Sequence, residues 1–454
     1  MPAPRELKLE VGLVAENPDP SARLEALNKT HAAVMVGGKF VIMNEVIDPI
    51  FKRPDITFSS VQDFRNRYSN DLIFYETDRG QKKCRSIATD WLASPNRRSY
   101  RGIVFSPAKE TPGFYNLYRG LARKSVKGDW HLLQEHIHVN ICGEIQRYSN
   151  YLLDWMADLV QNPGGIRPGV SIVLRGGRGT GKGLFATSLG KIFGSHFLHL
   201  RDQNHLTGRF NAHHKDALLL FADECFWAGN KTSEGLLKGI ITEETIQIEA
   251  KGKDPFEVEN HIRLIVASNE DWVIPAGMDE RRFFCLDLSE DYKQDISYWN
   301  PIWEETRKGG IEAMLYDLLR REYDPISLKT PPRTKALVSQ IEYSMNSVQK
   351  WWLQRLMEGC QLRLMNIWET RMATEKLHSD YLLFCKDTNE RYPESCNIFG
   401  KSVRSLCQVH HIRMPAETIC GRRPMGLLFN TLTECRKQFE AVLGAEFDWG
   451  EDEK

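Results

Sequence analysis

The chain has 454 residues, 41% of them hydrophobic, which is enough for two or three domains with their own cores. Its 60 basic and 60 acidic side chains cancel, so a nucleic-acid contact must use local patches rather than the field of the whole protein. No apolar run approaches the ~18 residues of a membrane span, no secretory signal opens the sequence, and the ten cysteines are scattered without zinc-site spacing. We therefore expect reduced cysteines in a cytoplasmic protein, with no membrane partner.

Residues 1–140 combine short helical and strand patterns. Within them, His31 to Glu45 contains two strand-like runs around Gly37-Gly38, which predicts a hairpin. A basic stretch with interleaved aromatic residues follows, and a solvated surface is favoured there over a contact with a phosphate backbone. Its members are Trp91, Arg97, Arg98, Tyr100 and Arg101. Three histidines lack a carboxylate or cysteine at metal-site spacing and are interpreted as ordinary helix-face residues: His131, His136 and His138.

After a helix predicted from Gly143 to Gln161, a glycine-rich turn joins an apolar run to a helical pattern in the segment VSIVLRGGRGTGKG, Val170 to Gly183. The spacing Gly176-x4-Gly181-Lys182, between strand and helix, is typical of a phosphate-binding loop. Backbone N–H groups of such a loop turn onto phosphate oxygens, the helix N-terminus adds its positive end, and the lysine reaches the β- and γ-phosphates. The predicted nucleotide-binding residues are Gly176, Gly177, Gly179, Thr180, Gly181, Lys182 and Gly183.

Gly183 departs from this pattern. Serine or threonine usually follows the lysine, and its hydroxyl holds Mg²⁺. Two interpretations stay open: water or a nearby side chain such as Thr180 takes that coordination position, or hydrolysis is weakened.

Two adjacent carboxylates follow the next buried strand. Leu218 to Phe221 are consecutive apolar residues, and Asp223 and Glu224 come at the carboxyl end, where parallel α/β sheets bind ligands. Asp223 is placed to hold Mg²⁺ through water, and Glu224 to polarise an attacking water. The sequence therefore predicts an ATP site with Mg²⁺.

A hairpin with two lysines at its tip comes next. Ile246 and Ile248 alternate along the first arm, Phe256 and Val258 along the second, and the turn holds Lys251 and Lys253. Such a tip contacts backbone phosphates or merely improves solubility, and the sequence favours neither.

Two further polar groups border buried strands. The strand around Leu264 to Val266 ends in Ser268-Asn269, and an amide at that point orients the attacking water or senses the γ-phosphate. Arg281 and Arg282 precede the following strand. An exposed arginine there is suited to stabilise phosphoryl charge on the nucleotide of a neighbouring subunit.

The C-terminal part follows a proline-containing linker at residues 324–333. Trp351 and Trp352 lie on a predicted helix, where packing into a core is favoured over stacking on bases. From Thr374, two short helices and a basic segment fit a winged helix-turn-helix, which either contacts phosphates or has a structural or protein-docking role. The candidate phosphate contacts are Arg404, Arg422 and Arg423.

The order of these motifs resembles that of the superfamily 3 helicases, in particular the primase-helicase-type proteins of phages, plasmids and large DNA viruses. The resemblance is specific over about residues 170–290, moderate over 335–454 and weak before 140. It implies an α/β fold with an AAA+-like P-loop ATPase core at 141–325. It also implies a winged-helix-like domain at 335–454. The mixed α+β region at 1–140, read from its own residue pattern, is expected to serve ring assembly or DNA entry.

The resemblance further implies a role for each candidate residue. Lys182 matches the P-loop lysine, Asp223 and Glu224 the second nucleotide motif, and Asn269 the polar sensor. The DNA-tracking hairpin carries Lys251 and Lys253, and Arg282, with Arg281 as the alternate, matches the arginine finger acting in trans. The family forms hexameric rings that pull single-stranded DNA through the pore in the 3′ to 5′ direction.

We therefore expect an ATP-dependent DNA helicase of a phage or mobile element, acting in replication on single-stranded or forked DNA. Residues 1–140 show no carboxylate triad of a primase polymerase, and a separate primase is one candidate partner. One alternative is a DNA-binding initiator or regulator whose ATPase is an assembly switch, which Gly183 favours. Another is an AAA+ remodeller of proteins, against which the basic hairpin tip argues.

Overall fold

The structure, a computed structural model, describes residues 19–49, 54–77, 79–224, 231–249, 255–415 and 424–450. The chain divides into two compact units, Met1–Arg119 and Gly120–Lys454. The second unit begins ahead of the boundary predicted at residue 140, because Trp130 donates a hydrogen bond of 2.7 Å to Asp317 of that unit. Among the described residues, no helix is long and apolar enough to cross a membrane.

The first unit combines three short helices with a four-stranded sheet. The sheet order is β3-β2-β1-β6, and two further strand pairs, β4/β5 and β7/β8, stand apart from it. The elements are α1 (Pro20–Thr30), β1 (His31–Val36), β2 (Lys39–Ile47), β3 (Pro54–Ser59), α2 (Val61–Arg67), β4 (Leu72–Glu76), β5 (Lys82–Ser86), α3 (Ile87–Ala93), β6 (Ser99–Tyr100), β7 (Gly102–Val104) and β8 (Phe114–Asn116).

The predicted hairpin of the first unit is confirmed, since β1 and β2 pair antiparallel with Val36 opposite Lys39. Gly37 and Gly38 have φ of 55° and 73°, which the two central residues of a type I′ turn require. The predicted basic surface is wrong in part. Trp91 is fully buried and bonds to Asn28. Arg98 forms an ion pair with Glu45 and donates to the Asn28 carbonyl, so both residues serve the packing of this unit.

The second unit is built on a five-stranded parallel sheet with helices, followed by a helical part with a small antiparallel sheet. Its elements up to the end of the large sheet are α4 (His131–His136), α5 (Gln146–Gln161), β9 (Ser171–Arg175), α6 (Lys182–Phe193), β10 (Phe197–Leu200), α7 (Gln203–Thr207), β11 (Leu219–Asp223), α8 (Lys231–Thr242), β12 (Thr245–Ile248), β13 (Phe256–Glu259), β14 (Arg263–Ser268) and β15 (Phe283–Asp287). The remaining elements are α9 (Ile296–Glu305), α10 (Ile311–Leu318), α11 (Lys335–Ser344), α12 (Ser347–Glu358), β16 (Arg371–Ala373), α13 (Thr374–Asp387), α14 (Cys396–Leu406), β17 (His410–Arg413), β18 (Met425–Leu428) and α15 (Leu432–Leu443).

The large sheet has the strand order β10-β11-β14-β9-β15, with every neighbouring pair parallel. Its strands read as continuous apolar runs because both faces of a parallel sheet are covered. The Leu218–Ala222 run is fully buried. One ion pair lies in this interior: Arg263, at the start of β14, bonds to Asp158 of α5 at 2.5 Å.

The register brings the candidate motifs to one edge of the sheet. Asp223 of β11 lies opposite Ala267 of β14, which in turn lies opposite Leu174 of β9. The loop after β9, the carboxylates after β11 and the polar residues after β14 therefore leave the sheet at the same edge, where ligands of open α/β sheets bind.

The last part of the chain packs four helices, α12 to α15, around the three-stranded antiparallel sheet β16-β18-β17. Trp351 and Trp352 are fully buried in its core, which confirms packing as their role. The α12 helix begins with a capping box between Asn346 and Gln349 and ends at Gly359 in the left-handed conformation. The predicted helix is thus present with well-defined ends.

Candidate functional site

The glycine-rich loop connects β9 to α6 and presents the open N-terminus of that helix. Gly181 is the N-cap residue, with φ of 93° and no side-chain cap. Helix α6 starts at Lys182, so the first amides of the helix have no intrahelical partner and are available to an anion. The buried Thr180 hydroxyl donates to the Gly177 carbonyl at 2.9 Å, which closes the loop on itself.

Lys182 folds back onto its own loop. Its Nζ donates to the carbonyls of Gly176 and Gly177 at 2.5 and 2.8 Å. Burial lowers the pKa of this ammonium, and the negative charges of Asp223 and Glu224 act in the opposite direction. The lysine is therefore near enough to both carboxylates for their negative charges to raise its pKa.

Side chains from other segments lie against this loop, and at Gly181 their rings explain why glycine is needed. A Cβ added at Gly181 would come within 2.6 Å of the rings of His136 and Trp299. A Cβ at Gly177 would overlap the Glu290 carboxylate and lie 3.0 Å from Lys293 Nζ. A Cβ at Gly183, by contrast, would meet nothing within 4 Å. The glycine at that last position is not required by packing.

His136, the last residue of α4, and Asn140, in the helical turn that follows, support the loop. The amide of Asn140 donates to the Thr180 carbonyl at 3.0 Å, and a hydrogen bond of 3.0 Å joins His136 Nδ1 to the Tyr298 hydroxyl. His136 is fully buried, and burial lowers its pKa to about 4, so the ring is neutral. Its interpretation as an ordinary helix-face histidine is wrong, because its ring packs against the loop glycine.

The two carboxylates after β11 have different surroundings. Asp223 Oδ2 bonds to His199 Nε2 at 2.9 Å, and the His199 ring packs on Phe221. Glu224 has φ of 57°, a left-handed conformation that costs non-glycine residues of order 1–3 kcal/mol and is found mostly at functional sites. Its N–H donates to the Ala267 carbonyl at 2.9 Å, which holds it at the sheet edge with its side chain exposed.

Asn269 leaves β14 next to the loop. The carbonyl of the preceding Ser268 accepts a hydrogen bond of 3.2 Å from Gly176 N, so the end of β14 is tied to the start of the loop. Asn269 itself is exposed. The structure thus brings Lys182, Asp223, Glu224 and Asn269 to one edge.

Two charged residues that sequence reasoning missed also border the loop. Glu290 and Lys293 lie in the segment after β15, with Lys293 Nζ 3.2 Å from the Glu290 carboxylate. Both charges act on Lys182, Glu290 raising its pKa and Lys293 lowering it. Lys293 is therefore a second ammonium beside the glycine-rich loop.

Arg281 and Arg282 lie at the opposite edge of the sheet. The Arg282 carbonyl accepts from Ser171 N at the start of β9, whereas the loop follows the end of β9, roughly 16 Å away at ~3.3 Å per residue. Arg281 is exposed, while Arg282 is half-buried and 3.4 Å from the buried Glu280 carboxylate. Neither arginine is placed to reach the loop of its own subunit.

The candidate DNA contacts are described only in part. The arms β12 and β13 pair antiparallel as predicted, with Ile246 opposite Val258. The tip lysines Lys251 and Lys253 lie outside the described residues, as do Arg422 and Arg423. Arg404, on α14, donates to the Gly400 carbonyl of its own helix at 3.1 Å.

The donor set at the edge fits a magnesium ion. Asp223 and Glu224 supply hard carboxylate oxygens. The Thr180 hydroxyl is committed to Gly177, and the Thr187 hydroxyl donates to the Gly183 carbonyl at 2.6 Å. Magnesium commonly takes one or two carboxylates, with waters and substrate phosphates as its other ligands, so the missing hydroxyl at Gly183 leaves a place for water.

A second group of carboxylates surrounds His131, contrary to the sequence interpretation. Asp129 Oδ2 lies 2.8 Å and Glu305 Oε1 3.7 Å from His131 Nδ1. The Glu305 carboxylate also accepts the backbone N–H groups of Leu132 and Leu133 at 3.0 and 2.9 Å. These contacts cap the start of α4, which gives the cluster a structural role.

The match to a family of known sequences concerns mainly this sheet. Residues 174–282 match a family described as of unknown function, DUF5906. That span includes every predicted site residue from Gly176 to Arg282. The DNA primase-polymerase of Nitratiruptor phage NrS-1 is 30% identical over 221 residues, which are 46% of this chain and 30% of the relative. The chain thus matches less than a third of that relative's length.

Solved structures resemble about nine-tenths of the chain. An apo structure of the NrS-1 C-terminal region, residues 305–718, has a TM-score of 0.62 at 17% identity and covers 91% of this chain and 100% of its own. An A-form apo structure of the same region has a TM-score of 0.61 at 16% identity, with 89% and 98% coverage. The chain therefore has a mixed α/β fold like that of the NrS-1 C-terminal region.

Proposed function

We propose that this chain is an ATP-driven DNA translocase, a helicase of the superfamily 3 type that works as a ring in phage DNA replication. One observation carries the proposal: Lys182, at the open N-terminus of α6, lies at the same sheet edge as Asp223 and Glu224. An N-terminal helix end with a lysine binds phosphates, and paired carboxylates serve metal binding and water activation. The similarity to a phage DNA primase-polymerase supports the setting in replication.

The loop residues Gly176 to Gly183 bind the phosphates of ATP through their amides. On binding, Lys182 exchanges the carbonyls of Gly176 and Gly177 for the β- and γ-phosphates. Lys293 adds a second positive charge on the same side of the loop. Two ammonium groups therefore lie beside the loop, one of them paired with the Glu290 carboxylate.

Hydrolysis follows at the same edge. Glu224 accepts a proton from water as the water oxygen bonds to the γ-phosphorus and ADP leaves, and Asn269 orients that water. Asp223 would hold Mg²⁺, which would neutralise charge on the phosphate oxygens. His199 fixes the orientation of the Asp223 carboxylate through their hydrogen bond.

The arginines act between subunits. Because Arg281 and Arg282 are at the sheet edge remote from their own loop, they suit a nucleotide bound by the neighbouring copy in a ring, which we propose to be hexameric. Lys251 and Lys253 then hold the phosphates of single-stranded DNA, and the C-terminal part, as a winged helix, adds contacts through Arg422 and Arg423.

A second function is favoured by Gly183. Without the usual hydroxyl, a slow ATPase suits an initiator or regulator that binds duplex DNA and assembles on ATP. That protein would form nucleotide-dependent oligomers and displace no strand. A remodeller of proteins would hydrolyse ATP without responding to DNA.

Unwinding of a forked DNA distinguishes these functions. We expect the variant Lys251→Ala with Lys253→Ala to keep its basal ATPase and to lose unwinding. Its matched control is Lys124→Ala with Lys127→Ala, two exposed lysines elsewhere, which should unwind like the wild type. If ATPase and unwinding fall together in the first variant, the hairpin is not the DNA-tracking element. If the wild type displaces no strand, the helicase proposal fails.

A further inference from the structure

One feature of the first unit supports an inference that does not depend on the ATP site. Strands β4 and β5 form a hairpin that pairs with no other described strand. Ile73 is buried and anchors its base in the core of the unit. Phe74, the next residue, is 64% exposed and lies opposite the exposed Cys84. The Phe74 ring is therefore largely exposed to solvent on a hairpin that Ile73 holds to the core.

The hairpin is basic in a chain whose net charge is zero. Between residues 72 and 86 the sequence contains four cationic residues and two carboxylates, Glu76 and Asp78. The four cations are Arg79, Lys82, Lys83 and Arg85. Arg85 is committed, because it forms an ion pair with Asp90 and lies 4.9 Å from the Tyr75 ring centre. Lys82 and Lys83 are exposed and form no ion pair within the described residues.

The positions of these side chains suit a flexible, negatively charged polymer with flat apolar rings. On one face of the hairpin, Phe74 and Lys82 are diagonal neighbours, since Lys82 lies opposite Glu76. On the other face, Lys83 lies directly opposite Tyr75. Each face thus offers an aromatic ring with an ammonium beside it. Successive unpaired bases stack on such rings while their phosphates contact the cations.

We propose that the β4/β5 hairpin is a binding site for single-stranded nucleic acid. Phe74 is the stacking platform, and Lys82 on the same face holds an adjacent phosphate. Lys83, on the other face beside Tyr75, holds a second phosphate of the strand. A duplex does not fit this site, because its bases are already stacked and their faces are closed to Phe74. The site requires no bound ATP, so this proposal goes beyond the ATP-driven translocation proposed above.

The salt dependence of binding tests the role of the lysines. The full chain is titrated, without ATP, against a fluorescent oligothymidylate at several salt concentrations, and fluorescence anisotropy is recorded. Each phosphate neutralised on a single strand contributes about 0.7 to the slope of log K against log salt. We expect Lys82→Gln with Lys83→Gln to reduce the magnitude of the slope by about 1.4. All variants are made in the Lys251→Ala, Lys253→Ala background, which removes the competing tip.

A matched control has the same loss of charge in the same unit. Arg65 and Lys109 are exposed cations away from the hairpin. The variant Arg65→Gln with Lys109→Gln should keep the slope of its background. Equal slopes in the hairpin variant and this control would overturn the proposal.

The exposed ring is tested separately. Stacking of a base on an aromatic side chain is worth about 1–3 kcal/mol, so Phe74→Ala should weaken binding by about 5- to 150-fold. Phe74→Tyr keeps the stacking surface and should bind like its parent. Because the ring is largely in solvent, neither change disturbs the core. Unchanged affinity in Phe74→Ala, or a change in sedimentation instead of affinity, would assign the surface to a protein contact and overturn the proposal.

Each of the two proposals can be refuted without affecting the other. The oligonucleotide titration needs no ATP, so a chain without ATPase activity still reports on the hairpin. Conversely, a motor with DNA-stimulated ATPase and an inert β4/β5 hairpin would leave the translocase proposal intact.

Discussion

The side-chain amide of Asn140 donates a hydrogen bond of 3.0 Å to the main-chain carbonyl of Thr180. This bond joins the turn after α4 to the glycine-rich loop, and both groups are buried. A loop with several glycines has many accessible conformations, so a fixed partner restricts it to the one that points its amides at phosphate. Asn140 is therefore a positioning residue of the proposed nucleotide site.

We expect Asn140→Ala to weaken ATP binding roughly tenfold. Leaving a buried carbonyl without its donor costs about 1–3 kcal/mol, and part of that cost falls on the loop conformation that binds ATP. Titration with a fluorescent ATP analogue measures the affinity. Asn150→Ala, on the exposed surface of α5, is the control and should bind like the wild type. Equal affinities in both variants would show that the loop needs no such partner.

Gly183 and Gly181 should respond in opposite ways to the same substitution. Gly183→Ser fits without a clash and supplies the absent hydroxyl, so ATP hydrolysis in Mg²⁺ should match or exceed that of the wild type. Gly181→Ser collides with His136 and Trp299 at a φ of 93°, so nucleotide binding should be lost. Steady-state ATPase rates and nucleotide titrations test the pair. Loss of activity in Gly183→Ser would argue that the glycine is itself required.

The buried His136 makes folding stability depend on pH. Burial lowers its pKa from 6.5 to about 4 in the folded chain, so between these values the unfolded state binds more protons. Stability should therefore fall as the pH drops through this window, by up to about 3 kcal/mol from this group. Denaturant unfolding of wild type and His136→Gln at pH 7 and 4.5 measures the difference. An unchanged pH dependence in the variant would mean that His136 is protonated in the folded state.

The two arginines before β15 should differ in function. Exposure favours Arg281 as the residue that reaches a neighbouring subunit, whereas the resemblance implies Arg282, which is held by Glu280. We expect Arg281→Ala to bind ATP normally and to lose DNA-stimulated hydrolysis. Mixing it with Lys182→Ala should restore part of the activity, because the second variant donates an intact arginine to the first. Restoration with Arg282→Ala instead would reverse the assignment, and none with either would contradict action in trans.

The part of the site that follows local sequence order could be predicted. The strands β9, β11 and β14 read as apolar runs because a parallel sheet buries both faces, and the polar residues after each run must share its carboxyl edge. Lys182, Asp223 and Glu224 were found in this way. Glycine spacing also located the turn, since Gly181 needs a conformation that other residues rarely adopt.

The supporting residues could not be predicted, because they come from distant segments. Asn140 and His136 precede the loop, and Glu290 and Lys293 follow β15, so no spacing relates them to Gly177 or Thr180. A weak signal was present in the aromatic residues Tyr292, Tyr298 and Trp299, which cluster in sequence. Tyr298 and Trp299 pack against His136, and Tyr292 stacks on Tyr298. For Trp91 and Arg98 the prediction was wrong in another way. The basic and aromatic pattern suggested a solvated surface, but both residues serve the packing of the first unit.

ATP hydrolysis in Mg²⁺, with and without single-stranded DNA, tests the central claim most directly. The wild type is compared with Glu224→Gln, which should bind ATP with unchanged affinity but fail to activate water. We predict strong stimulation by DNA in the wild type and none in the variant. Hydrolysis that is the same with and without DNA would contradict the proposal of a nucleic-acid motor and favour an assembly switch or a remodeller.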